Sequence, residues 1–329
     1  MDPAFHKAIF TINDQKAFRE IALKVFLYQA RHTPVYGEYL NKLKIDPMQI
    51  TSLEEIPFLP VEFFKTHLVL DGGKKAEIQF ESSGTTAQTP ALHPIADVSL
   101  YQESFTRGFS RFYGGPEKYC IVALLPSYLQ RSGSSLVYMM DHLIGLSNHP
   151  DSGFYLNNLE ELSTLLQRRN ADEQPTLLVG VSYALLDLAE KYPVKLKDHI
   201  IMMETGGMKG RRKEMVRGEL HEALGKAFGQ ETIHSEYGMT ELLSQAYSHG
   251  NGLFHTPPWM KVLVRDPNDP FSWVQTGKTG GLNIIDLANL YSCSFIATGD
   301  LGKVHPEGGF EILGRFDHSD IRGCNLMVP

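Results

Sequence analysis

Three short stretches constrain the fold most: Lys118-Tyr119-Cys120-Ile121-Val122-Ala123-Leu124-Leu125-Pro126, Pro175-Thr176-Leu177-Leu178-Val179-Gly180 and His199-Ile200-Ile201-Met202-Met203-Glu204-Thr205-Gly206-Gly207. Each is apolar almost throughout, as expected of a strand buried on both faces. Segments with helical spacing separate or follow them, over 134–145, 156–169, 183–192 and 213–228, and a fourth strand and turn follow over 232–238. Strand, helix, strand, helix, with glycines and hydroxyls after the strands, predicts an α/β fold with a largely parallel sheet. Ligands of such sheets bind at the carboxyl ends of the strands. The glycine pair 206–207, the stretch 235–241 and the loop 81–86 fall at such ends.

The flanks read differently. Residues 3–32 look helical, with a break at Phe10-Thr11-Ile12-Asn13-Asp14, and 35–43 reads as another short helix. Ser52-Leu53-Glu54-Glu55 looks like a capped single turn with Glu55 at the capping-box position. The spacing thus predicts a helical N-terminal segment over 1–75, ahead of the sheet. Residues 97–113 read as a helix whose Phe105, Phe109 and Phe112 face the core. From about 252, short extended runs alternate with Gly, Pro and Asn, ending in a hairpin over 305–313. The expected division is an α/β core over 76–250 and a β-rich lobe over 251–329.

Composition excludes several classes. The 329 residues are 42% hydrophobic, enough for a large core, and the net charge is −7. Nucleic-acid affinity rests on Lys and Arg neutralising phosphates, so a nucleic-acid partner is not expected. The densest basic cluster, Lys209-Gly210-Arg211-Arg212-Lys213, reads as a solvated loop entering a helix. The three cysteines have no CxxC spacing and the histidines no H-x-x-x-H pattern, so neither a disulfide framework nor a zinc site is expected. No run of about 18 apolar residues suggests a membrane span. The N-terminus does not read as a secretory signal, and the cytoplasm is the expected compartment.

Four constellations carry chemistry. In Phe80-Glu81-Ser82-Ser83-Gly84-Thr85-Thr86-Ala87-Gln88-Thr89-Pro90, hydroxyls surround a glycine that lets the backbone approach a ligand. Inward N–H groups of such a turn can bind an anion. The stretch reads equally as a solvated hydroxyl-rich turn, and it lacks the Walker spacing. Tyr237-Gly238-Met239-Thr240-Glu241 offers a flat ring, a turn and a hard oxygen ligand for Mg²⁺. Thr298-Gly299-Asp300 places a carboxylate where ribose hydroxyls could donate to it, and Gly314-Arg315-Phe316-Asp317 holds an arginine near a turn. Taken singly, Glu241 reads as a helix N-terminal acid, Asp300 as a turn carboxylate and Arg315 as a surface cation.

In this order, Ser-Ser-Gly-Thr-Thr, Gly-Gly, Tyr-Gly-Met-Thr-Glu, Thr-Gly-Asp and Gly-Arg-x-Asp, the chain resembles the adenylate-forming superfamily. Within it the chain is most similar to the phenylacetate-CoA ligases and the acyl-protein synthetases of the fatty-acid reductase complex. The segment Ser52-Leu53-Glu54-Glu55-Ile56-Pro57-Phe58-Leu59-Pro60 and the ending Asp320-Ile321-Arg322-Gly323-Cys324-Asn325-Leu326-Met327-Val328 share in that likeness. The resemblance implies an ATP- and Mg²⁺-dependent enzyme that converts a carboxylic acid, fatty by family, to an acyl-adenylate and then transfers the acyl group to a thiol. Ser82, Ser83, Gly84, Thr85 and Thr86 would hold the β- and γ-phosphates. Gly206 and Gly207 would edge the adenine or acyl pocket, Tyr237 would stack on adenine, and Gly238 beside it would belong to the nucleotide site. Thr240 would touch the α-phosphate, Glu241 would hold Mg²⁺, and Asp300 and Arg315 would bind ribose. The full-length ligases continue into a small lid domain with a catalytic lysine, and this chain is expected to lack it. Cys324 would carry the acyl group for delivery to a reductase or carrier protein. The same motifs are compatible with a CoA ligase-like enzyme whose lid comes from a partner, or with a nucleotide-binding module without turnover.

Overall fold

The computed structural model describes residues 3–82, 89–126, 133–156, 158–207, 212 and 215–316. Helices α1 (Pro3–Phe10), α2 (Gln15–His32) and α3 (Pro34–Lys42) come first. Asp14 caps α2, its carboxylate accepting from the Ala17 N–H at 2.8 Å. Pro34 opens α3 at a position where a missing N–H costs nothing. The turn at Leu53–Glu55 is capped as its spacing predicts, with Glu55 accepting from the backbone N–H groups of Thr51 and Ser52 at 2.8 and 3.1 Å. Then come β1 (Leu59–Pro60), α4 (Phe63–Thr66), β2 (Ile78–Glu81), β3 (Leu92–Ile95) and α5 (Val98–Tyr113).

The central region alternates β4 (Cys120–Leu124), α6 (Ser135–Ser147), β5 (Gly153–Tyr155), α7 (Leu159–Asp172), β6 (Thr176–Gly180), α8 (Ser182–Lys191), β7 (Ile200–Glu204), α9 (Arg217–Phe228) and β8 (His234–Tyr237). With β9 (Ala246–Ser248) these strands form a six-stranded sheet of order β5-β4-β6-β7-β8-β9. All pairs are parallel except β8–β9. Every residue of β4 and β6 is buried, which explains their unbroken apolar sequence. Helix α9 starts at Arg217, later than its spacing predicts, because Val216 is still extended and serves as its N-cap.

The last strands are β10 (Met260–Arg265), β11 (Gly280–Asp286), β12 (Phe295–Val304) and β13 (Phe310–Arg315). They form a mainly antiparallel sheet, and β1 joins it by pairing parallel with β12 at Leu59↔Ile296. The N-terminal helices also pack there. Gln29 donates to the carbonyls of Asn289 and Leu290 at 2.9 and 2.8 Å, Thr33 donates to the Ser292 carbonyl at 2.9 Å, and Tyr36 stacks on Phe295. Periodicity identifies the apolar face of α2 but not the surface it meets.

Two features position the site. Strands β2 and β3 make a hairpin whose base is closed at Ser82, which donates its N–H to the Ala91 carbonyl at 3.0 Å and accepts from the Ala91 N–H on Oγ at 2.8 Å. Among the described residues β3 pairs only with β2, so Pro94 is tolerated within it. The second feature is Asp286 at the end of β11, fully buried. Its carboxylate accepts from the N–H groups of Leu243, Ser244 and Ala288 at 2.7, 2.9 and 3.2 Å and from the Ser244 hydroxyl at 2.5 Å. This fastens the turn after β8 to the other sheet. Asp286→Ala would leave these buried donors without an acceptor and should lower stability by about 3 kcal/mol or more. Urea unfolding would show it as a fall in midpoint at unchanged slope.

Candidate active site

Tyr237 is the last residue of β8, Asp300 lies within β12 and Arg315 ends β13. Asp300 and Arg315 are cross-strand partners. The buried Asp300 accepts from the Tyr237 hydroxyl on one oxygen at 2.7 Å and from Arg315 Nε on the other at 3.1 Å. Its own N–H donates to Thr298 Oγ1 at 3.1 Å. Burial, and then the Asp300 carboxylate, push the Tyr237 phenol well above its ordinary range, so it remains a proton donor. The ring meets Phe254 and Phe310 edge-on at 6.1 and 5.8 Å between centroids. Its orientation is therefore held at both the hydroxyl and the ring. Asp300 belongs to a strand, not to a turn, while Arg315 does extend into solvent, its side chain 63% exposed.

Thr240 and Glu241 sit in a turn, not at a helix N-terminus. Two residues that local sequence does not single out hold their backbone. His93 Nδ1, on β3, bonds the Thr240 carbonyl at 2.8 Å, and Asn289 Nδ2 donates to the Glu241 carbonyl at 2.7 Å. His93 Nε2 meets Asn289 Oδ1 at 3.0 Å. Both ring nitrogens thus face acceptors, which favours the cation, yet burial outweighs this and holds the His93 pKa near 4. The hairpin under the hydroxyl-rich loop is tied in this way to the Tyr-Gly-Met-Thr-Glu turn. The Glu241 side chain is 7% exposed, and burial raises its pKa despite the nearby Arg315 charge.

Gly206 and Gly207 follow β7 with φ of 75° and 89°, in the region that disfavours a side chain. Among the described residues no atom beyond its chain neighbours lies within 4 Å of where a Cβ on Gly206 would sit, so that position needs the backbone freedom of glycine rather than its small size. Gly238 differs: its Cβ would lie 2.6 Å from Glu236 Oε1. Beneath the pair, Glu204 accepts from the Gly206 N–H at 2.7 Å and from the Ser182 hydroxyl at 3.3 Å. Its other oxygen faces Arg217 Nε at 3.2 Å and His221 Nε2 at 3.5 Å. Arg217 also donates to the Ile312 carbonyl at 3.3 Å, linking β7 to β13.

Ser82 lies at the loop base, with its oxygen already accepting from Ala91. Ser83, Gly84, Thr85, Thr86 and Cys324 lie outside the described residues. Among the described residues no three His, Cys, Asp or Glu side chains cluster to hold a metal ion. Glu241 supplies one carboxylate, a donor set that suits Mg²⁺ when substrate phosphates complete its octahedron. Cys120 and Cys293 are buried, as their apolar surroundings predict. Behind the strand ends Phe109, Met139, Met140, Leu143, Val179 and Met203 line a cavity of about 10 Å³, room for about one water molecule.

This architecture is similar to that of solved 2-hydroxyisobutyryl-CoA ligase and MatB. The structure of 2-hydroxyisobutyryl-CoA ligase in complex with 2-HIB-AMP and CoA is similar at a TM-score of 0.66 and 16% identity, over 93% of this chain and 70% of that one. ATP-bound MatB from Rhodopseudomonas palustris is similar at a TM-score of 0.53 and 17% identity, over 72% of this chain and 47% of that one. The match with MatB thus spans about half of that protein's length. No curated protein sequence matches at a significant level. The family described as acyl-protein synthetase, LuxE, matches residues 8–329, and the chain belongs to it. Among the described residues no helix is long and apolar enough to cross a membrane.

The Glu204 cluster has a pH signature. Burial alone would raise its pKa, but His221, Arg217, Ser235 and the Gly206 N–H together bring it from 4.5 to about 2. A lowered folded pKa contributes stability that is present above the unfolded value and is lost as pH falls through the folded one. Unfolding free energy should therefore drop by about 3 kcal/mol between roughly pH 5 and 2 on account of this group. Denaturation of Glu204→Gln across that range should show a correspondingly shallower slope.

Proposed function

We propose that this protein activates a carboxylic acid with ATP and passes the acyl group to a thiol. The observation that carries the reading is the Tyr237–Asp300–Arg315 group, which joins β8, β12 and β13 with Glu241 beside it, in a chain of the acyl-protein synthetase family. A carboxylate oxygen of the acid attacks the α-phosphorus of ATP, the bond to pyrophosphate breaks, and an acyl-adenylate remains. A thiolate then attacks the acyl carbon, the carbon–sulfur bond forms, and AMP leaves.

The residues present suit these steps. Asp300 keeps acceptor capacity for ribose hydroxyls, and Arg315 supplies a cation beside it. Tyr237, fixed by its hydroxyl, would offer a ring face to adenine, and Gly206, Gly207 and Gly238 would leave room along the nucleotide. The loop from Ser82 to Thr86 would donate to the β- and γ-phosphates, and Thr240 to the α-phosphate. Mg²⁺ held at Glu241 would offset charge on the phosphates. The thiol would be Cys324, for delivery to a reductase or carrier protein in the cytoplasm. CoA as the direct acceptor is the second reading, favoured by the similarity to a ligase solved with an acyl-adenylate and CoA.

Purified protein with ATP, Mg²⁺ and a panel of acids should release pyrophosphate only when acid is present. Asp300→Ala should cut kcat/KM for ATP by about tenfold to a hundredfold, the loss of one or two buried hydrogen bonds to a charged group. No acid-dependent release with any acid would refute the activation step. Labelled acid should become covalently bound to the wild type and not to Cys324→Ser. Persistent labelling of that variant would remove Cys324 from the pathway, and discharge of the adenylate by CoA alone would favour the second reading.

A further inference from the structure

Helix α4 is a single turn, yet its contacts fix where it lies. Strand β1, just before it, pairs with β12, and the Val61 N–H donates to the Ala297 carbonyl at 3.0 Å. Ala297 precedes Asp300 on the same strand. Phe64 is buried, and its ring meets His93 edge-on at 5.3 Å between centroids. His93 in turn holds the Thr240 carbonyl. Phe63 meets Tyr39 edge-on at 5.7 Å. The backbone of Lys65, next in the chain, is therefore held between β12 and the β3 residue that supports the Thr240–Glu241 turn.

The Lys65 side chain is exposed, and among the described residues it forms no ion pair and no side-chain hydrogen bond. Its charge nonetheless acts on the buried Glu241 carboxyl, opposing the rise that burial causes. Arg315 is the other cation acting there, but its Nε is bonded to Asp300. Arg265 is spent on the carbonyls of Leu282 and Thr298 and on Asn283 Oδ1. Lys65 is thus a cation beside the turn that no carboxylate has claimed among the described residues.

The reaction proposed above brings a triphosphate and a third carboxylate to Asp300 and Glu241. Repulsion between the acid and the phosphate grows as the two approach and water is excluded. Arg315, shared with Asp300, offsets only part of it. A lysine ammonium is a compact point charge with three donors on a flexible stem, so it can follow phosphate oxygens as their geometry changes. We propose that Lys65 is a catalytic residue for acid activation, its ammonium group donating to a non-bridging oxygen of the α-phosphate. The proposal rests on the acid-activating function above. An oxygen of the acid bonds to the α-phosphorus, the bond to pyrophosphate breaks with its electron pair leaving on pyrophosphate, and Lys65 gives up no proton. What it supplies is charge where charge builds. Its place beside Thr240 and Glu241 selects the α-phosphate, since the β- and γ-phosphates belong, in the same reading, to the loop after Ser82.

Lys65→Met keeps the length of the stem and removes the charge. Its acid-dependent pyrophosphate release should fall about a hundredfold in kcat, as for one lost donor aimed at developing charge. KM for ATP and for the acid should change by less than about threefold, because the contact strengthens mainly in the transition state. Lys65→Arg, which keeps a cation, should recover about tenfold of the loss. Both variants should unfold at the wild-type urea midpoint, since an exposed, unpaired side chain contributes little to stability. Lys197→Met, at the opposite end of β7, removes an exposed lysine paired with Glu173 and should match the wild type. A wild-type kcat in Lys65→Met, at every Mg²⁺ concentration or only at saturating Mg²⁺, would overturn the proposal, the latter because Lys65 would then only tune Glu241. A raised KM for the acid at unchanged kcat would place Lys65 on the acid's carboxylate and overturn it too. So would an equal loss in Lys197→Met, or a fall in the urea midpoint that accounts for the lost activity. A wild type that releases no pyrophosphate with any acid would instead refute acid activation itself, and this proposal would fall with it.

Discussion

The carboxylate of Asp286 takes its donors from the turn after β8 and from the end of its own strand. Residues 238–245 have little regular structure of their own. What places Thr240 and Glu241 is therefore attachment: Asp286 from below, and His93 with Asn289 from the side. Asn289 is itself fixed because its carbonyl accepts from Gln29 on α2. The N-terminal helices thus support the site through a buried hydrogen-bond chain, although they lie far from it in sequence.

Three acids, on β7, β8 and β12, meet burial in different ways. Glu204 is paired with Arg217 and His221 and stays ionised down to a low pH. Asp300 is shared between a phenol and a guanidinium. Among the described residues no cation lies beside Glu236, and the same low dielectric that strengthens the other two pairs raises its pKa. One environment so yields anchored anions on β7 and β12 and a neutral acid on β8.

Much of this was legible beforehand. Continuous apolar runs named the central strands, because full burial on both faces forbids alternation. The capped turn at Ser52–Glu55 and the start of α2 followed from local hydrogen bonding, which depends on residues a few positions apart. The motif order pointed to adenylate-forming chemistry, and the Asp300–Arg315 pair and Tyr237 do come together. Strands β3, β5 and β9 were not legible: each has only three or four residues, and β3 contains a proline. The packing of the N-terminal helices on the last sheet was equally hidden, since an apolar face does not name its partner.

The amino-acid sequence by itself determined which segments must be buried strands, where chain turns need glycine, and which polar residues follow those strands. These are local consequences of burial, backbone sterics and spacing. Only the tertiary structure decided which polar groups meet. His93 reaches Thr240 across 147 positions and Asn289 across 196, and Tyr237 reaches Asp300 across 63. No local rule encodes such pairings, because they arise where two sheets with separate hydrogen-bond ladders are brought into contact and their buried polar groups must find partners.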